Sequence, residues 1–241
     1  FGEGKMSSPR QIYKYLKNYF NNKNIVKKKN WKAIVTTGPT REYIDPVRYI
    51  SNESSGKQGC EVAIALNKLG IKTTLISGPS SLVFPKDLKV KKITSADEML
   101  NEVKKSLPAD LVVCAAAVTD FKPTENNKNK IKKEAIKLQK INFVKNYDIL
   151  EYVSKNNKHR PRLVAGFSAE TENVINNSVS KMKKKNCDII FANDVSQKDV
   201  GFNSDYNKIF VIEGKDKVKI IPKNKKSFIA NKIAEILLDK L

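Results

Sequence analysis

Thr36–Gly59 reads TTGPTREYIDPVRYISNESSGKQG, and its two flanks decide the fold. Before it, Ala33–Val35 is a short apolar run that reads as a buried strand. After it, Val62, Ala63, Ala65, Leu66 and Leu69 recur at helical spacing and Gly70 closes the pattern. A long, polar, glycine-punctuated loop therefore leaves a strand and enters a helix N-terminus. In open α/β sheets ligands bind at that place. Backbone N–H groups and the helix dipole favour anions there. A loop of this length with no evident secondary structure is also longer than most strand–helix connections, and such loops are usually functional or disordered.

The alternation continues outward. Lys72–Ser77 reads as a second strand, stopped by Gly78-Pro79. Ser95 to Glu98 is a capping box opening a helix to about Leu107. Leu111–Ala116 is a continuous apolar strand, as expected in a parallel sheet covered on both faces. Ile149–Val153 opens a short helix, and Leu163–Phe167 and Asp188–Ala192 are strands. Thr171–Lys185 reads as a helix with acids first and lysines last. Ile209–Ile212 and Val218–Ile221 suggest a hairpin around Gly214. Ser227–Leu241 places Ile229, Ile233, Ile236 and Leu237 on one helix face. This predicts a Rossmann-like, doubly wound three-layer α/β sandwich with a mainly parallel sheet. Lys130–Val144 alternates weakly and is expected as a small β excursion.

Residues 1–30 stand apart. Pro9 followed by Ile12, Tyr15, Leu16, Tyr19 and Phe20 predicts an amphipathic helix, and Asn21–Asn30 a polar linker. Residues 31–241 form the main expected domain.

The 241 residues are 40% hydrophobic, enough for a full core. No apolar run approaches the roughly 18 residues that span a membrane, and the first residues lack the charged-then-apolar pattern of a secretion signal. Cys60, Cys114 and Cys187 form no CxxC pair and read as reduced, buried thiols of a cytoplasmic protein. The net charge of +21 raises nucleic-acid binding. However, only five of the 46 basic residues are arginine, the residue suited to bidentate phosphate and base contacts. Lysine and asparagine are abundant everywhere, so a nucleic-acid partner is not expected. A positive surface would instead steer phosphorylated substrates.

The chain lacks GxGxxG and GxxxxGK[ST]. Its one histidine, His159, stands in a polar loop beside Arg160, which excludes a histidine metal cluster and a nucleophile–His triad. Lysine, amide, carboxylate, hydroxyl and backbone remain. That set suits nucleotidyl transfer, which needs cations on phosphate oxygens and usually Mg²⁺.

Several residues fit these roles. Gly38 lets backbone approach a phosphate, and Thr40 offers a hydroxyl. The Asn52 amide can donate to an oxyanion. Ser54 and Ser55, before Gly56, are either an N-cap or a phosphate contact. Ala115 and Ala116 lead past a strand end to Asp120, an acceptor for ribose or base donors. Lys130 and Lys132 share a side if extended. Phe167 either stacks on a pyrimidine or packs in the core. Lys181 and Lys185 share a helix face.

Five ordered segments carry a resemblance: GPTREYIDPVRYISNESSGKQG, AAAVTD (Ala115–Asp120), NKIKK (Asn129–Lys133), VAGFSAET (Val164–Thr171) and ANDVSQKDVGFNSD (Ala192–Asp205). From about Ala33 to the C-terminus the chain resembles bacterial phosphopantothenoylcysteine synthetase. The resemblance implies a ligase joining 4'-phosphopantothenate to L-cysteine, driven by CTP through an acyl-cytidylate with Mg²⁺. It implies that Asn52 handles the intermediate, with Ser54, Ser55 and Gly56 at the substrate. Lys130 would form the acyl-nucleotide. Gly38, Thr40, Ala115, Ala116, Asp120, Lys133, Phe167, Lys181 and Lys185 would contact nucleotide. The resemblance names no metal ligands.

The family is a homodimer, usually the C-terminal half of a bifunctional protein of coenzyme A biosynthesis. GEGKM and SSPRQI resemble the tail of its FMN-dependent decarboxylase domain, so the chain is expected to be cut from such a fusion. One departure is Asn146-Tyr147-Asp148, where the family typically has Asn-Pro-Asp; Tyr147 lacks proline's fixed φ. The same ligation driven by ATP and a basic nucleic-acid-binding module are the alternatives.

Overall fold

The computed structural model describes residues 6–22, 30–132, 141–156, 158–196 and 204–241. Lys133, most of the expected linker, and 197–203 of the last matching segment lie outside the described residues. The chain divides into two units, Phe1–Asn30 and Trp31–Leu241. The first holds helix α1 (Pro9–Asn22). Ser8 Oγ accepts from Gln11 N–H at 3.3 Å, and Pro9 takes the first helical position, where its missing N–H costs nothing.

The second unit is built on eight strands: β1 (Lys32–Thr37), β4 (Lys72–Ser77), β5 (Lys89–Lys92), β6 (Leu111–Cys114), β9 (Leu163–Glu170), β10 (Ile189–Asp194), β11 (Tyr206–Gly214) and β12 (Lys217–Lys225). Their order is β12-β11-β10-β9-β6-β1-β4-β5. The pairs from β10 through to β5 are parallel, and β11 and β12 add an antiparallel hairpin. The expected doubly wound sandwich is therefore present.

The strand period of two divides the core. Ala33 and Val35 pack with helices α2 (Lys57–Lys68) and α6 (Lys226–Leu238) on one face. Ile34 packs with α3 (Ala96–Ser106), α4 (Ile149–Ser154) and α5 (Val174–Lys185) on the other. Helix α3 begins with the predicted box: Ser95 Oγ accepts from Glu98 N–H at 3.2 Å. Glu98 reaches back to Thr94 N–H at 2.8 Å, one residue before the usual N-cap partner.

Three readings need correction. The loop after β1 is not structureless; it contains the hairpin β2 (Arg41–Tyr43) and β3 (Tyr49–Ser51). Helix α5 starts at Val174, because Asn173 is left-handed with φ 47° and ends the approach from β9. The acids Glu170 and Glu172 thus precede the helix instead of filling its first turn. Among the described residues of the expected excursion, the strand is Phe143–Lys145 (β8), which pairs with Phe121–Pro123 (β7), and Lys130–Lys132 form none.

Candidate active site

The chain passes from β1 through α2 to β4 on one side of β1, then returns to β6 on the other. A crevice opens at such a switch point, beyond the C-terminal strand ends. Backbone bonds join the two loops that leave those ends. Ala115 N–H donates to Thr36 O at 3.1 Å and Ala117 N–H to Gly38 O at 2.9 Å. Thr37 Oγ1 donates to Gly56 O at 2.7 Å, tying the end of β1 to the entrance of α2. Gly56 has φ 74°, a conformation that glycine adopts without a Cβ penalty.

Two clefts lie above these strand ends, with volumes of about 800 and 490 Å³. Ala116, Val118, Asp120, Phe167 and Lys181 border both. The larger adds Asn146, Tyr147, Lys184 and Lys185. The smaller adds Asn52, Ser54, Ser55, Gly56, Lys57 and Lys226. Ala115 lines the smaller cleft as well. Most expected site residues are thus brought together.

Each side chain has a local anchor. Asn52 follows β3, and its Nδ2 donates to Val118 O at 2.9 Å. The amide therefore joins the β3 exit to the Ala115–Val118 loop while bordering the smaller cleft. Phe167 stacks at 5.4 Å on the fully buried Phe191 and also borders both clefts, so its two readings are compatible. Lys181 Nζ donates to Phe167 O at 3.1 Å. Lys185 lies 2.9 Å from both Asp148 and Glu151. Burial works to lower its ammonium, but the hydrogen bonds to Glu151 and Asp148 prevail and raise it. Hydrogen bonds from Lys155 and then Lys185 take the Glu151 carboxyl down to about 2.

Three expected nucleotide contacts are placed differently. Thr40 is fully buried. Its hydroxyl accepts from Thr119 N–H and lies 3.1 Å from Thr119 Oγ1, so it faces a buried network and not a cleft. The network continues through Thr119 Oγ1 to Glu42 Oε1 at 3.2 Å and from Ala96 N–H to the same oxygen at 2.8 Å. Gly38 is buried against Gly78 and lines neither cleft. Lys130 is exposed and also lines neither. Its segment is attached to the β2–β3 turn, where Asn127 N–H donates to Ile44 O at 3.2 Å.

The Tyr147 departure is absorbed locally. Asp148 still caps α4 by accepting from Glu151 N–H at 2.7 Å, and Asn146 Nδ2 donates to Thr119 O at 2.9 Å. Tyr147 is 71% exposed at the larger cleft.

Lys57, Lys184 and Lys226 border the clefts although nothing in the sequence singled them out. Lys57 pairs with Asp205 at 2.7 Å. Burial, and then the nearby Lys57, push the Lys226 ammonium down to about 8. Cys60 and Cys187 are buried, and burial pushes each thiol up to about 11. Among the described residues no three His, Cys, Asp or Glu side chains converge as a metal cage. Among the described residues no helix is long and apolar enough to cross a membrane.

Residues 28–241 match the family described as the DNA/pantothenate metabolism flavoprotein C-terminal domain. The chain belongs to this family. Its relatives include the coenzyme A biosynthesis bifunctional protein CoaBC of Haemophilus influenzae, 40% identical over 237 residues, 98% of this chain and 58% of the relative. The CoaBC of Escherichia coli K12 is 40% identical over 243 residues, 100% of this chain and 58% of the relative. The chain thus spans somewhat more than half the length of these curated relatives. The crystal structure of a CoaBC C-terminal domain superposes with a TM-score of 0.70 at 30% identity, covering 87% of this chain and 96% of that one. Cab2 bound to phosphopantothenate-cysteine gives a TM-score of 0.69 at 15% identity, covering 97% and 94%, which extends the shared fold alone. In family terms, the match begins just before β1 and takes in every strand and helix bordering the two clefts.

Proposed function

We propose that residues 31–241 are a phosphopantothenate–cysteine ligase domain of coenzyme A biosynthesis. The observation that carries this reading is that the clefts adjoin: the one holding Asn52 and the one holding Lys184 share Phe167 and Lys181 as lining. A nucleotide in one and an acid in the other meet at the Ala116–Asp120 loop.

The chemistry balances in two steps. The 4'-phosphopantothenate carboxylate attacks the α-phosphorus of CTP, and pyrophosphate leaves with its bond electrons. The L-cysteine amine then attacks the acyl carbon of the acyl-cytidylate. An amide forms, CMP leaves, and the amine proton passes to water. Lys181 and Lys184 offset phosphate charge, Phe167 presents a ring face to the base, and Asn52 holds the Ala115–Val118 loop at the reacting carbonyl. Lys130 acts in acyl-nucleotide formation, and the family's homodimer, with contacts shared between copies, is the arrangement in which it reaches a site. Mg²⁺ fits as an ion arriving with the triphosphate, since it favours phosphate oxygens and one or two carboxylates; Asp120 is the carboxylate bordering both clefts.

The first 30 residues are the tail of a fused FMN-dependent decarboxylase domain, as in the bifunctional relatives, and the protein works in the cytoplasm without nucleic acid or membrane. The test is pyrophosphate release from CTP with phosphopantothenate, with and without cysteine, and with ATP in parallel. CTP-dependent release yielding the cysteine adduct is expected. ATP-only turnover would replace the nucleotide assignment, and no release with either would overturn the reading.

A further inference from the structure

Asp45 is fully buried, and its two oxygens divide their work. Oδ1 serves its own turn, accepting from Val47 N–H and Arg48 N–H, each at 2.9 Å. Oδ2 serves a segment far along the chain. It accepts from Ile131 N–H at 3.2 Å and from Arg48 Nε at 2.9 Å. Arg48 Nη2 in turn donates to Ile131 O at 2.7 Å. Both backbone groups of Ile131 are thus held by one ion pair, and its side chain is 8% exposed. The Arg48 guanidinium foremost, then the backbone donors of Val47, Ile131 and Arg48, outweigh burial and hold the Asp45 carboxyl well below the usual carboxylate range.

The position of this knot gives it meaning. Ile131 immediately follows Lys130, and Asn127, three residues before Lys130, is bonded to Ile44. Lys130 is therefore bracketed on both sides by the turn Ile44–Arg48. The same turn runs into β3 and ends at Asn52. One hairpin therefore carries Asn52 and anchors the backbone beside Lys130. Buried carboxylates that cap only a local turn need no partner 86 residues away, and an arginine that donates both to the Asp45 carboxylate and to the Ile131 carbonyl fixes geometry between two segments, which a surface ion pair does not.

We infer that Asp45 is a positioning residue for Lys130, fixing through Ile131 where the lysine stands relative to the Asn52 strand. The inference rests on the ligase reading above, in which Lys130 acts in the first half-reaction.

The test is a double-mutant cycle on the full chain. Asp45→Asn keeps the Oδ1 acceptor for the local turn but points an NH₂ at Ile131 N–H and Arg48, so it cuts the cross-segment link selectively. Asp45→Ser, which preserves a weaker local turn, is the second variant should the first not fold. Folding is checked by thermal melting. In a wild-type Lys130 background, Asp45→Asn is expected to lower the turnover number for pyrophosphate release about tenfold to a hundredfold, as expected for a misplaced group. The nucleotide KM stays within about threefold, because the cleft residues are untouched. In a Lys130→Gln background the same change is expected to cost less than about twofold, because coupled residues are not additive. Equal losses in both backgrounds, or wild-type turnover in Asp45→Asn, would overturn the inference. Failure of the ligase reading would be distinct, since the wild-type protein would then release no pyrophosphate.

Discussion

Gly59, in the first turn of α2, lies so close to Thr37 at the end of β1 that a β-carbon on it would stand 2.5 Å from Thr37 Oγ1 and 2.8 Å from Thr37 Cβ. The approach lets α2 enter against the strand end while Thr37 Oγ1 holds Gly56 O. Gly59→Ala must push the helix start or the threonine aside. Overpacking of this kind costs about 1–3 kcal/mol, and in a domain of this size each kcal/mol lowers Tm by about 2–4 °C. Thermal unfolding checks it; a Tm equal to wild type would sink the argument.

Lys226 gives a pH dependence with a definite sign. Its ordinary value is about 10.4, and burial, with Lys57 behind it, brings it to about 8 in the folded protein. Between those two values the unfolded chain binds a proton that the folded chain has released. Stability contributed by this group therefore rises with pH across that window, and below about 8 the cost of a buried ammonium stays in full. Lys226→Met is expected to gain stability at pH 7 relative to wild type and to lose the gain by about pH 10. Urea melts at several pH values decide it. An unchanged pH slope in the variant would contradict the assignment.

Asn52→Asp places a carboxylate where an amide now donates to Val118 O. The loss of that bond and the new repulsion are worth about 1–3 kcal/mol, roughly tenfold to a hundredfold in rate. The expected defect is in the second half-reaction: pyrophosphate release persists while the cysteine adduct falls. Quenched reactions that count both products will test this, and equal losses of both would point instead to a general collapse of the smaller cleft.

The parts of the fold visible in the sequence were those with one strong local signal. Strands β1, β4 and β6 are apolar runs bounded by glycine, proline or charge, and α2 has clear helical spacing. The β2–β3 hairpin was hidden because REY and YIS are three-residue strands of mixed polarity with no alternation to count. Strand β5 was hidden because KVKK reads as solvated charge. The start of α5 was misplaced because Asn173 adopts a left-handed conformation. Asn52, Ser54, Ser55, Gly56, Ala115, Ala116, Asp120 and Phe167 stand near strand ends, where ligands gather, and their expected roles came from the resemblance. Thr40 obeyed the same rule yet turned inward, because Thr119 and Glu42 offered its hydroxyl a buried network. Lys57, Lys184 and Lys226 could not be picked from a lysine-rich background, where the folded position alone separates a cleft residue from a solvated one.

The two outermost strands carry seven of those lysines. Strand β5 presents Lys89, Lys91 and Lys92, and β12 presents Lys217, Lys219, Lys223 and Lys225 together with Pro222. Open sheet edges invite another chain to add on, and lysine and proline are the usual deterrents. The eight-stranded sheet thus ends in two like-charged borders that repel edge-to-edge stacking between copies. Part of the basic excess thus stands where it deters fibre growth, and polyanions that neutralise those borders would remove that deterrent.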